Sequence, residues 1–177
     1  LERNDEAIAE LRAGVEAEPD DADMHYQLGV TLHSAGQKEE ARLVMLKVLQ
    51  MDASERGEVP DPTYQETQDL RTRFEDVLED LPEPLMRMLA GSPIVVQGQP
   101  TAEQIQGGID PRGVVALVGR PAGSDDDPEL ERVVIMRELL LEEIEDDEEI
   151  PEAFVADLVM EMRRFFNMEE LGFSVVG

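Results

Sequence analysis

The chain contains no cysteine and no tryptophan, only two histidines, and 4% aromatic residues. Without thiols, disulfide frameworks and thiolate zinc sites are excluded, and thiol usage carries no information on redox compartment. Apolar runs are short: none approaches the roughly 20 residues that a helix needs to span a bilayer. The opening "LERNDEAIAE" lacks the basic-then-apolar layout of a signal peptide. A cytoplasmic protein without a membrane partner is the expectation. Basic side chains are scarce too, 15 Lys and Arg against 42 Asp and Glu, for a formal net charge of -27. Most of such a surface repels phosphate backbones and anionic lipid, so a basic or docking protein is expected as partner rather than nucleic acid. Apolar residues are plentiful: 41% of 177 positions, enough to core one or two domains.

Shifting the sequence against itself by 34 positions aligns Ala7 with Ala41, Leu11 with Met45, Gly14 with Val48, and the turn at Pro19 with Ala53. Between Ala22 and Ala53, Leu28, Gly29, Leu32, Gly36, Ala41, Met45 and Val48 mark two antiparallel helices. Gly29 and Ala41 are small enough for close approach, and Gly36 turns the chain between the helices. These residues resemble a tetratricopeptide repeat, with His25 where the family has a large aromatic and Ala53 where it has proline. The resemblance covers residues 22–53 as a full repeat and 4–19 as part of a preceding one, within a domain of residues 1–60. One repeat does not bury its own faces, so more repeats are expected before Leu1. The resemblance implies a scaffold that binds a protein partner on its concave face, through Tyr26, His33 and Gln37. His25 and His33 are eight positions apart, about two helical turns, which is too far to share one ion as an i, i+4 pair does. They read as groove or packing residues.

"GEVPDPTY" breaks this pattern, with Asp61 as the expected N-cap and Pro62 in the first turn of a bridging helix over 61–82. That helix is expected to cap the repeats and open the next domain. Beyond a short helix from Pro84 to Leu89 and a stop at Gly91, strands are expected at 93–97, 113–119 and 132–137. The Gly-, Pro- and acid-rich stretches between them read as loops. A closing helix runs from about Pro151 to Phe166, its apolar face formed by Phe154, Leu158, Met162 and Phe165. The fold class is α+β, all-helical at the N-terminus and with a small three- to four-stranded sheet over 73–177.

The order from Arg73 onward, an acidic helix ending at Leu-Pro, three strands and "FVADLVMEMRRFFNM", resembles the bacterial minimal zincin-like proteins, predicted zinc-dependent peptidases. Their closing helix carries His-Glu-x-x-His-His. Here the first histidine becomes Met160, the glutamate is Glu161, and the other two become Arg164 and Phe165. Asn167 stands for a following glycine, and an acidic ligand would fall on Glu169 or Glu170. A zincin needs imidazoles at i and i+4 around one tetrahedral ion, with the glutamate as general base. A thioether is a weak ligand, and a guanidinium is a fixed cation where a donor is required. The resemblance therefore implies a vestigial motif without metal or cofactor. Glu161 and Arg164, at i and i+3, can pair in place of the ion.

The acidic runs at Ser124 to Glu131 and Glu142 to Glu152 lack EF-hand spacing, and "QGGIDPRG" precedes a strand rather than a helix, so it is no phosphate cradle. The expected protein is a non-catalytic adaptor, a tetratricopeptide scaffold fused to a metal-less pseudo-peptidase with an acidic second surface. A peptidase with atypical ligands and an acidic mimic of nucleic acid are the alternatives.

Overall fold

Thr63 decides where the second half of the molecule starts. Its hydroxyl accepts the Glu66 backbone N–H, and the Glu66 carboxylate accepts the Thr63 N–H in return at 2.7 Å. This reciprocal capping box satisfies two donors at once, which moves the N-cap from the expected Asp61 to Thr63. Pro62 therefore lies ahead of the helix.

The computed structural model describes residues 2–123 and 127–168. Its elements are α1 (Glu2–Ala17), α2 (Ala22–Ser34), α3 (Lys38–Arg56), α4 (Tyr64–Glu79), α5 (Glu83–Leu89), β1 (Ile94–Gln97), α6 (Ala102–Gln106), β2 (Val115–Arg120), β3 (Glu129–Met136), α7 (Arg137–Glu143) and α8 (Ile150–Phe166). They form two compact units. One comprises Leu1–Val59 with Pro100–Arg112, and the other Pro60–Gln99 with Gly113–Gly177. The architecture is α+β, as the sequence pattern predicts. The tail after Met168, including Glu169 and Glu170, and residues 124–126 of the first acidic run lie outside the described residues.

In the first unit, α2 packs against both α1 and α3. Ile8, Leu28, Leu32 and Ala41 form the buried centre, with Leu11, Val15, Ala35 and Val44 around it. Asp21 caps α2 by accepting the Met24 N–H at 2.8 Å. Gly36 turns the chain at φ 81. Gly29 faces α3 so closely that a Cβ there would lie 2.8 Å from the Met45 sulfur. His25 is buried and its Nδ1 lies 2.7 Å from the Asp21 carbonyl oxygen, so this histidine packs inside the helix pair. The stretch 97–113, expected as loop, contains α6. Thr101 and Gln104 form a second capping box there, and Ile105 and Ile109 are buried. α6 packs on α3.

The second unit is built on a mixed sheet in the order β1-β3-β2. β1 runs parallel to β3, and β2 antiparallel to it. β3 starts at Glu129, inside the expected loop, because Glu129 and Leu130 pair with Arg120 and Gly119 across a bulge at Val118/Gly119. Val133, Val134, Ile135 and Met136 are all buried, as a central strand covered on both faces requires. α4 packs on α8 and β1. Phe74 and Phe154 meet edge to face at 5.1 Å and are wholly buried. The Arg137 guanidinium, at the start of α7, reaches Glu66 at 2.5 Å and also pairs with Glu138. Hydrogen bonds from the Thr63 hydroxyl and backbone, then from Arg137, hold the Glu66 carboxyl down at about 2.

Gly119 sits in the bulge at φ 146, where a Cβ would lie 2.2 Å from the Glu129 carbonyl oxygen. Gly119→Ala is therefore expected to cost at least about 3 kcal/mol in urea unfolding, through clash and strain together. Gly36→Ala, strained but in open space, is expected to cost about 1–2 kcal/mol. Equal losses would contradict the clash. A carboxyl depressed from 4.5 to about 2 contributes stability that is fully present above pH 4.5 and lost as pH falls through about 2. Glu66→Gln should thus have a lower urea midpoint than wild type at pH 7, and the gap should narrow between pH 4.5 and pH 2.

Candidate functional site

Two polar clusters stand out, one in each unit. In the second unit, Asp157, Glu161 and Arg164 lie at i, i+4 and i+7 on α8, one stripe of a helix. They face β2, a strand paired on one side only, by β3. Asp157 accepts the Val114 N–H through a short bond and the Val115 N–H at 3.3 Å. Glu161 accepts the Leu117 N–H at 3.0 Å, and Arg164 donates to the Leu117 carbonyl at 3.2 Å. Side chains thus do for the free edge of β2 what a fourth strand would do with its backbone. They satisfy donors and acceptors that burial would otherwise penalise.

Glu161 is 7% exposed and bound on both oxygens by Arg164, Oε1 by Nε at 2.8 Å and Oε2 by Nη2 at 2.7 Å. A two-point guanidinium–carboxylate pair is among the strongest side-chain contacts, and here it offsets the desolvation of a buried acid. The remaining residues of the quoted motif diverge. Met160 is 65% exposed, Phe165 is wholly buried, and Asn167 caps α8 in the left-handed conformation at φ 51. Glu161 and Arg164 meet; Met160 and Phe165 do not join them. Among the described residues no group of three or more His, Asp or Glu side chains converges as a metal site would require. Asp157 escaped sequence reading. Its spacing from Glu161 and Arg164 was legible, but the strand edge they serve was not.

In the first unit, Tyr26 is half-buried on α2 and donates its hydroxyl to Asp110 Oδ2 at 2.7 Å. Asp110 Oδ1 accepts the Arg112 N–H at 2.8 Å, closing the turn that aims Arg112. The Arg112 guanidinium grips Asp52, Nε to Oδ2 and Nη2 to Oδ1, both at 2.8 Å. It also reaches Asp23 at 2.6 Å and lies 5.0 Å over the Tyr26 ring centroid. Asp52 is 12% exposed and Asp23 85%, so the two-point bond to Asp52 carries most of the attraction and the solvated Asp23 little. Hydrogen bonding to Asp52 first, then to Asp23, keeps Arg112 firmly protonated. Of the other residues assigned to a partner, His33 and Gln37 are exposed, Gln37 at the N-terminus of α3. Asp52, Asp110 and Arg112 were missed; a lone arginine in "GGIDPRG", within so acidic a chain, was the one available signal.

A family model described as tetratricopeptide repeat matches residues 2–84. That segment carries a tetratricopeptide repeat. No curated protein and no solved structure matches the chain. The tetratricopeptide match includes α1–α3 and also α4, which is grouped with the second unit. Asp23, Tyr26, His33, Gln37 and Asp52 all fall inside it, whereas Asp110 and Arg112, the groups that contact Tyr26, fall outside.

Glu161→Ala leaves Arg164 half-buried without its acid and the Leu117 N–H without its acceptor. The expected loss is about 3 kcal/mol in chemical unfolding. Glu161→Gln keeps an acceptor for Leu117 and should lose less. A Glu161→Ala variant within about 0.5 kcal/mol of wild type would show that the pair contributes nothing to the fold.

Proposed function

We propose that the chain is a non-catalytic adaptor, in which a tetratricopeptide surface binds a protein partner and a degenerate zincin-like domain carries no metal. The single observation behind the adaptor reading is the tetratricopeptide repeat in residues 2–84, since such repeats suggest protein–protein interaction. Within that repeat, Tyr26, His33 and Gln37 are the residues assigned to the partner. The high acidity of the chain favours a basic partner and a cytoplasmic setting away from anionic membranes. Among the described residues no helix is long and apolar enough to cross a membrane.

The non-catalytic part of the reading is supported by Glu161. A general base needs a lone pair within reach of a water or substrate proton. Of the roughly four acceptor sites of the Glu161 carboxylate, two are taken by Arg164 and a third by the Leu117 N–H, and the guanidinium balances its charge. Freeing the carboxylate would break the Arg164 pair and expose the β2 edge together, so the site is organised for structure.

Two measurements test this. Purified full-length protein, dialysed without chelator, should retain far less than one equivalent of zinc by elemental analysis and leave casein uncut. Stoichiometric zinc with cleavage lost in Glu161→Gln would favour a peptidase with atypical ligands. Second, capture of a basic protein partner should fall at least fivefold in His33→Ala with Gln37→Ala. Capture that is unaffected by these changes yet abolished by salt would favour the mimic of nucleic acid instead.

A further inference from the structure

The contacts on Tyr26 come from the chain itself. Its hydroxyl is bonded to Asp110 and its ring face is covered by the Arg112 guanidinium. Asp23, on the same face of α2 one turn earlier, is also reached by Arg112. We propose that Pro100–Arg112 is an internal occupant of the tetratricopeptide surface, latched by Arg112, and that a partner peptide bearing an arginine competes for the same seat. This rests on the adaptor reading above and names its regulation and the chemistry of its ligand.

Three features support it. α6 has five residues, too few to hold a helix unaided, so its order depends on docking. It packs on α3, and two aliphatic side chains of the segment, Ile105 and Ile109, are buried. The third fixed point is Arg112, bonded to Asp52 at two atoms and stacked on Tyr26. The segment therefore presents aliphatic, aliphatic and arginine at positions 105, 109 and 112, as a short docked peptide does. Latch and anchors differ in kind. Ile105 and Ile109 are held by solvent exclusion, whereas the Arg112 contact is electrostatic and open to exchange with another guanidinium. Further along α2, Val30 is 37% exposed and His33 is exposed.

The test uses the full chain and a labelled synthetic peptide of its own sequence, PTAEQIQGGIDPRG. In Arg112→Ala, amide exchange over 102–109 should quicken at least tenfold while α1–α3 keep their protection. The labelled peptide should bind this variant at least tenfold more tightly than wild type, and a peptide with its arginine changed to alanine should not. Asp52→Asn, which loosens the same latch from the other side, serves if Arg112→Ala does not fold, and should show the same faster exchange. Unchanged exchange at 102–109 would overturn the latch and leave the adaptor reading standing. Faster exchange with no peptide bound to the opened protein would instead overturn Tyr26 as a docking residue, and the adaptor reading at this surface with it.

Discussion

Forty-two carboxylates against fifteen basic side chains make a buried guanidinium the scarcest partner in this molecule. Three part-buried arginines gather acids around them. Arg112 holds Asp52, Arg137 holds Glu66 and Glu138, and Arg164 holds Glu161. Asp52 and Glu161 would be costly to bury alone, and each is bonded at two atoms by a planar donor fork that lysine does not offer, whereas the more exposed Glu66 and Glu138 take one bond each from Arg137. Most other acids stay in water, where crowding of like charge costs little at ordinary ionic strength. The pattern of charge in the fold is thus set by where arginines stand.

The Asp157–Glu161–Arg164 stripe shows how one helix closes a sheet. A three-stranded sheet has two edges, and an open edge invites pairing with other chains. On β2 the edge is covered by side chains that offer acceptor, acceptor and donor at the spacing of strand amides. The Glu161 carboxylate serves here as an acceptor for backbone, and the Arg164 guanidinium one turn away balances its charge.

In the first unit the same scarcity of basic charge has a different effect. Residues outside the repeat, Asp110 and Arg112, are matched to residues inside it, Tyr26, Asp23 and Asp52. The connection between β1 and β2 is thereby grouped with helices far from it in sequence. A surface described from the repeat alone omits what covers it.

What local sequence settled was whatever depends on near neighbours. The repeat was legible because Ala7 recurs as Ala41 at a period of 34 and because Gly29, the turn at Gly36 and Ala41 stand in a fixed order. α8 was legible because its apolar positions follow the helical period. Even the Glu161–Arg164 pair was legible, because residues three apart on a helix are neighbours and can pair. Where two local signals competed, at Asp61 and Thr63, the capping box with Glu66 prevailed, and at 102–106 another capping box made helix where composition suggested loop. What only tertiary structure decided were pairings across long separations: Leu117 with Glu161, Val114 with Asp157, Tyr26 with Asp110 and Asp52 with Arg112. Hydrogen bonds and ion pairs act over a few ångströms, and nothing in a linear pattern states which distant groups the folded chain will bring that close.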